Sequence, residues 1–386
     1  MRAATIDVLF AFAYDPDVRV RRLTQALAGA GYEVRIFGWD RDQQLPKREH
    51  DGPVEVRRIH LASHRGRGWT QLFYLMRAVT MYVPDIIRRR PDILHAIDLP
   101  MLLAAILIAP LTGRRPLLVY DAFEIYAIME SHKYPPLLLR AIALAERLLP
   151  RFADLVITPG EARQHYFTQR GIRSVVVPNW IDPPPPGASR DEARGALDIP
   201  PEAVTILYAG GLDPSRDVAS LVRHARRHPT HTVLIAGNGE QAQILREQAA
   251  TIPNLRLLGW LVDLSMPLAA ADMLYYSLLP EHPYAPFAAP NNLYTAIAYA
   301  IPLVHRMQGE VRLLAERHLI GASFDDDQTL DAAIAELAEP AANARIRGEL
   351  RRLQRSYRWS TARDRLLDAY PRPPRTTINR ARTNGE

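Results

Sequence analysis

The polar residues with the clearest chemical potential lie where short apolar runs give way to glycine, asparagine and charge. Tyr275–Val304, YYSLLPEHPYAPFAAPNNLYTAIAYAIPLV, reads as a strand end, a proline-rich loop, a helix over Asn292–Ala300 and a new strand. The small residues Ala296, Ala298 and Ala300 let this helix pack close to a sheet. Asn291 and Asn292 open it, where unpaired N–H groups and the helix dipole favour an anion and where capping is the plainer role. Two glycine turns precede it: Gly210-Gly211 in ILYAGGLDPSRDV, and Gly237-Asn238-Gly239 after the apolar run TVLIA. Glycine turns the chain there and also permits close approach of backbone to a ligand. In the first half, Asp15 and Asp17 follow the first apolar run, Asp98 ends HAID, and Asp121 and Glu124 flank Phe123 in VYDAFEIY. Such carboxylates accept a hydroxyl hydrogen bond or take a proton. Capping and turn formation are their competing roles.

Other chemistries are excluded or discounted. The chain has no cysteine, which removes disulfides, thiolate metal sites and thiol nucleophiles. The histidines read as scattered, without metal-ligand spacing, so no metal site is expected. Asp325–Asp327 precedes a helix predicted over Gln328–Leu337 and suits its N-terminus. Neither a P-loop nor a GxSxG elbow occurs. The net charge of +6 marks a basic surface, suited to an anionic membrane face or a phosphorylated substrate. No basic-aromatic module points to nucleic acid.

The elements that must position these residues alternate in type. Strands are predicted at Ile6–Phe12, Glu33–Phe37, Val54–Ile59, Ile93–Ala96, Leu117–Tyr120 and Leu155–Thr158, with helices at Gln71–Arg88, Met101–Leu111 and Leu137–Arg151. After Pro183–Pro186, a stiff linker, strands recur at Thr205–Tyr208, Thr232–Ala236, Leu255–Leu258, Met273–Tyr276 and Leu303–His305. Helices are predicted there at Val218–Arg227 and Gln241–Ala250. Alternating β and α elements imply parallel sheets covered by helices. The 386 residues suit two domains, placed at 1–182 and 183–355, with a closing helix at 356–370 that packs back toward the first domain and a disordered tail at 371–386. Leu99–Leu111 is too short to cross a bilayer, and Ile6–Ala13 reads as a strand rather than a signal peptide. Peripheral membrane contact is assigned to the arginine-rich end of the Gln71–Arg88 helix, where core packing is the default for Tyr74, Met76 and Tyr82.

Several segments together resemble the GT4-like glycosyltransferases of GT-B fold: DPDVRVRRLTQALAGAGYEVRIFGWDR, PDILHAIDLP, VYDAFEIY, ADLVITPG, VPNWID, ILYAGGLDPSRDV, LIAGNGE, NLRLLGW and RSYRWSTA, in the family's order up to about Tyr370. The resemblance implies an α/β GT-B fold: two Rossmann-like domains with parallel sheets facing an interdomain cleft, acceptor on the first and nucleotide sugar on the second. It implies a retaining hexosyltransferase in polysaccharide or other glycan biosynthesis, moving a sugar from a nucleotide-diphosphate donor to a saccharide or lipid-linked acceptor. No cofactor or metal is implied, and the setting is cytoplasmic or peripheral at the inner membrane face. On this resemblance the donor side comprises Gly211, Arg216, Gly237, Asn238, Asn291, Asn292, Leu293 and Thr295, with Arg216 as the cationic phosphate contact. Asp121 and Glu124 are the catalytic candidates, and Asp15 and Asp98 lie on the acceptor side.

Three positions depart from the family pattern. Asn292 stands for a lysine, Thr295 for the glutamate that holds the donor ribose, and Phe123 for a histidine. Phe287 stands where an acidic partner is usual, with Glu281 farther upstream. These departures keep two alternatives open: a non-catalytic GT-B protein that binds a nucleotide, glycan or partner enzyme, and a sugar-nucleotide epimerase.

Overall fold

The computed structural model describes residues 3–15, 17–63, 69–129, 134–185 and 187–370. The tail expected at 371–386 and Pro186 of the proline run lie outside the described residues. The chain divides into two compact units. One runs to Ile157 and adds Arg170–Val175 and the residues from Leu366 onward; the other comprises Thr158–Gln169 and Val176–Arg365. This interleaved division differs from a single break at 182/183. Residues 158–169 belong to the second unit because Arg163 Nε donates to the Phe287 carbonyl at 3.1 Å and Arg317 pairs with Glu161 at 2.7 Å.

The first unit is built on β1 (Thr5–Leu9), β2 (Glu33–Asp40), β3 (Arg48–Asp51), β4 (Val54–His60), β5 (Ile93–Ile97), β6 (Leu117–Asp121), β7 (Leu155–Thr158) and β8 (Val175–Val176), in the order β3-β4-β2-β1-β5-β6-β7-β8. Neighbours from β4 through β7 are parallel, and β3 is antiparallel to β4. Its helices are α1 (Val18–Gly29), α2 (Trp69–Arg89), α3 (Leu99–Ile108), α4 (Tyr126–Met129) and α5 (Pro136–Leu148), with a 3₁₀ turn at Leu149–Phe152. The central strands β1 and β5 are buried at every position, as strands covered on both faces must be. Asp7, the acid within the first apolar run, is buried in β1. Arg35 of β2 holds it at 2.8 Å, and Arg89 of α2 donates to it as well. Arg89 is thereby held inward rather than presented as a free basic patch, and Tyr82 of α2 lies in the core.

The second unit begins with α6 (Glu161–Thr168) and α7 (Arg190–Ala196). Its strands are β9 (Thr205–Ala209), β10 (Thr232–Ala236), β11 (Leu255–Gly259), β12 (Met273–Tyr276), β13 (Leu303–His305) and β14 (Gly321–Ser323), in the all-parallel order β11-β10-β9-β12-β13-β14. Its remaining helices are α8 (Val218–Arg227), α9 (Ala242–Ala249), α10 (Ser265–Ala270), α11 (Asn291–Tyr299), α12 (Gly309–Ala315), α13 (Asp327–Ala338) and α14 (Pro340–Leu353). Helix α15 (Trp359–Ala369) starts in this unit, and its residues from Leu366 count with the first. Each sheet reverses its strand order once, between β1 and β5 and between β9 and β12. Open parallel sheets bind ligands beyond the strand C-termini at such points.

Candidate functional site

In the second unit, the loops after β9, β10, β12 and β13 are fastened to one another around the end of β12. Tyr275 Oη donates to the Asp217 carbonyl at 2.7 Å, and Asp217 N to the Ser277 carbonyl at 3.3 Å. Buried Arg306, just past β13, donates to Asp217 Oδ2 at 2.9 Å and to Ser277 Oγ at 3.0 Å. Gln308 brackets Leu278, donating to its carbonyl at 3.0 Å and accepting from its N–H at 3.2 Å. Asp217 also caps α8. The sequence reading assigned no role to Asp217, Arg306 or Gln308. The available signal was an acid immediately after Arg216 and a basic residue immediately after an apolar strand.

This framework presents Arg216. Its backbone forms an isolated bridge with Leu278, and Leu279 N donates to the Ser215 carbonyl at 2.9 Å. Its side chain, 30 % exposed, donates through Nε to Asp213 Oδ2 at 3.1 Å. That contact uses one edge of the guanidinium. Among the described residues, its Nη atoms bond to no protein group, leaving the outer edge for a bidentate anion contact. Burial raises the Asp213 carboxyl, but Ser215 and Arg216 outweigh it and hold the group below its ordinary value.

Helix α11 is anchored to the same strand end, where Asn292 Nδ2 donates to the Tyr275 carbonyl at 3.4 Å. The asparagines do not cap the helix. Pro290 is the N-cap and supplies no side-chain bond, so Asn291 and Asn292 are the first two helical residues. Leu293 N donates to the Pro290 carbonyl at 3.2 Å, while the N–H groups of Asn291 and Asn292 have no acceptor among the described residues. An uncapped helix end of this kind is complementary to a phosphate. Leu293 was expected to touch the donor, but its side chain lies in the core and its N–H is already bonded. Thr295 is half-buried one turn further, with no hydrogen bond from its hydroxyl among the described residues. Phe287 packs on Tyr166 with ring centroids 5.5 Å apart. Glu281 is exposed.

The glycine turns are explained by packing between loops. A Cβ on Gly237 would lie 1.9 Å from the Gly210 carbonyl oxygen, and one on Gly239 would lie 2.7 Å from that of Leu212. Leu212 N donates to the Asn238 carbonyl and Gln241 N to the Leu212 carbonyl, each at 2.9 Å. Gly211 and Asn238 lie exposed on these loops.

The first unit uses its polar residues differently. Arg19 of α1 donates to both oxygens of Asp121, at 2.8 and 3.2 Å, with both residues buried. Its guanidinium also lies 5.2 Å from the Phe123 ring centroid. Asp121, expected as a catalytic carboxylate, is therefore committed to a buried ion pair. The missed partner carried a signal, because Arg19, Leu23 and Leu27 occupy one helical stripe and all are buried. Asp98 sits at the end of β5 with φ 65° and ψ 164°, a conformation costly for any residue but glycine. Its Oδ1 accepts from Glu124 N at 3.0 Å, and its N–H donates to the Asp121 carbonyl at 3.0 Å. Asp98, Asp121 and Glu124 are thus brought together at adjacent strand ends. Asp15 is exposed beside a pocket lined by Phe10, Phe12, Tyr14 and Asp17; Asp17 caps α1. His95 is buried in β5 with Nδ1 3.0 Å from the Tyr370 hydroxyl, and burial lowers its pKa to about 4.

The histidines read as scattered include a cluster. His224 Nδ1 lies 2.6 Å from Asp331 Oδ1, His228 Nε2 lies 3.3 Å from Asp331 Oδ2, and His224 Nε2 lies 3.0 Å from His231 Nδ1. Arg227 donates to both Asp331 oxygens, at 2.8 and 2.9 Å. That cation disfavours a metal ion on the same carboxylate. The cluster lies at the C-terminal end of α8, the other end of that helix from Arg216.

The glycosyl transferase 4-like domain family matches residues 16–180. Glycogen synthase of Mycobacterium tuberculosis is 28% identical over 296 residues, covering 73% of this chain and 69% of that protein. Among solved structures, sucrose-phosphate synthase from Thermosynechococcus elongatus aligns with a TM-score of 0.76 at 16% identity, over 95% of this chain and 98% of the other. Anabaena HepE in complex with UDP-glucose aligns with a TM-score of 0.70 at 19% identity, over 94% and 98%. No described helix is long and apolar enough to cross a membrane. Residues 16–180 thus match a glycosyl transferase 4-like domain, and the chain has the GT-B fold of these solved structures.

Proposed function

We propose that this protein is a retaining hexosyltransferase that moves a sugar from a nucleoside-diphosphate donor to a saccharide or lipid-linked acceptor in glycan biosynthesis, on the cytoplasmic side of a membrane. The observation that carries the reading is the pairing, at one strand end, of the outward Arg216 guanidinium with the uncapped N-terminus of α11. Both features suit a diphosphate. In the proposed reaction the bond from the anomeric carbon to the diphosphate oxygen breaks, and the acceptor oxygen bonds to that carbon on the same face. The acceptor proton passes to the departing diphosphate. Charge therefore accumulates on the diphosphate in the transition state, where fixed donors have their largest effect. Gly211 and Asn238 are proposed to line the nucleotide side, and Thr295 to accept one bond from the ribose. The acceptor is proposed to lie on the first unit beside Phe12 and Asp15, with Glu124 orienting its hydroxyl and the Asp98 turn holding Glu124 in place.

HepE was solved with UDP-glucose, so uridine-diphosphate hexoses are the first donors to test. Donor screening by calorimetry, followed by product analysis with saccharide and lipid-linked acceptors, is the experiment. Transfer with the donor's anomeric configuration retained is the expected result, and an inverted product would overturn the retaining mechanism. A second reading, a GT-B protein that binds nucleotide without turnover, is favoured by Thr295 replacing an acid and by Phe123 lying under Arg19. Donor binding without hydrolysis or transfer to any acceptor would select it.

A further inference from the structure

Helix α5 turns an apolar stripe to solvent. Leu137 is 78% exposed and Leu144 56%; Leu148 and then Phe152 in the following turn are exposed as well. With Ala141, positions 137, 141, 144 and 148 recur at helical spacing and fall on one face. Arg140 and Arg147 lie along one flank of that stripe and Arg151 follows at its end, all three exposed. Among the described residues, Arg140 and Arg147 pair with no carboxylate, and Arg151 donates only to the carbonyls of Arg147 and Arg170. The one acid within 134–153, Glu146, is turned inward: it is buried and accepts from Tyr126 N at 2.6 Å. On α3, which contacts the Leu149–Phe152 turn, and in its own succeeding turn, Leu107 and Leu111 are also exposed.

We propose that the α5 face docks on a membrane surface bearing anionic lipid headgroups, with its leucines and Phe152 entering the interface and its arginines meeting phosphates. The charge pattern selects this occupant. A stripe of exposed leucines flanked only by arginines complements a negatively charged apolar boundary, whereas the same stripe on a second copy would bring arginines against arginines. The site differs from the arginine-rich end of α2, where Arg89 is tied to Asp7 and Glu33. Docking does not depend on the proposed transfer reaction, and its readout is binding alone.

The test is co-sedimentation of the full chain with phosphatidylcholine vesicles, with and without about a third phosphatidylglycerol, at low and high salt. The wild type is expected to bind the anionic vesicles at low salt and to be released as salt screens the arginines. R140Q/R147Q/R151Q and, separately, L137S/L144S are each expected to weaken binding at least about tenfold. All five positions are exposed, and an unchanged thermal transition will show that the fold is kept. R226Q/R351Q/R355Q removes three exposed arginines from the second unit and is expected to bind as the wild type does. Equal loss in that control would reduce the effect to net charge and overturn the proposal. So would absence of binding to anionic vesicles, or a concentration-dependent dimer that L137S/L144S dissolves.

Discussion

The strand ends of the two units, similar in topology, handle charge in opposite ways. In the first, the Asp121 carboxylate is closed off by Arg19, and Asp98 is held in a strained turn whose oxygen is bonded to Glu124. In the second, Asp217 and Arg306 are the closed pair, buried beneath the surface, while the adjacent Arg216 is 30% exposed with its Nη atoms unbonded and the first N–H groups of α11 have no acceptor among the described residues. One residue along the chain thus separates a buried structural ion from an outward one. The contrast teaches that charge alone does not mark a site, because the charge must also retain bonding capacity after the fold has formed. By that criterion the second unit keeps bonding capacity suited to an anion, whereas in the first the Asp121 and Asp98 carboxylates are already engaged, by Arg19 and by Glu124 N.

The largest change is expected at Asp121. Asp121→Ala leaves the Arg19 guanidinium buried without its partner, and a loss of about 3–5 kcal/mol in denaturant unfolding is expected. Recovery of most of that stability in R19M/D121L would identify the pair as structural, whereas an unaltered D121A would show that it is not. A shared weakness of the two units comes next. His95 in the first and His305 in the second each have pKa values lowered to about 4 by burial. Above pH 6.5 the unfolded and folded chains both keep these rings neutral. Between 6.5 and about 4 only the unfolded chain takes up the protons, so stability falls with pH by up to about 3 kcal/mol per histidine. Thermal unfolding from pH 7.5 to 4 checks this, and H95Q and H305Q should each flatten the slope. Gly237→Ala drives a Cβ into the Gly210 carbonyl. It should cost about 2 kcal/mol and weaken donor binding, as seen in paired unfolding and calorimetric measurements. The smallest effect is expected at Asp98, where Asp98→Gly relieves the positive φ but removes an acceptor from Glu124 N; a net gain of about 1 kcal/mol is predicted from the unfolding midpoint.

The fold was largely legible because buried parallel strands are short apolar runs, and all eleven of those runs coincide with strands to within a few residues. Strands such as β3, REHD, were missed because a charged edge strand buries no apolar face and carries no alternation. The interleaved division at 157/158 was missed because α6 is assigned by its bonds to Phe287 and Arg317, which no local pattern reveals. At the site, glycine positions and the start of α11 could be read from residue type. The fate of each charge could not: Asp121 and Arg19 are 102 positions apart, and Asp217 and Arg306 are 89 apart. The histidine cluster was hidden for the same reason, since Asp331 reaches it from another helix.

On the function proposed above, the second unit holds a diphosphate through Arg216 beside the uncapped N-terminus of α11. Calorimetric titration of a uridine-diphosphate hexose into the wild type and into Arg216→Ala tests it most directly. Affinity should fall by about 1.5–3 kcal/mol, roughly 10- to 150-fold, with the unfolding transition unchanged. Equal affinities in the two proteins would show that Arg216 does not hold the diphosphate.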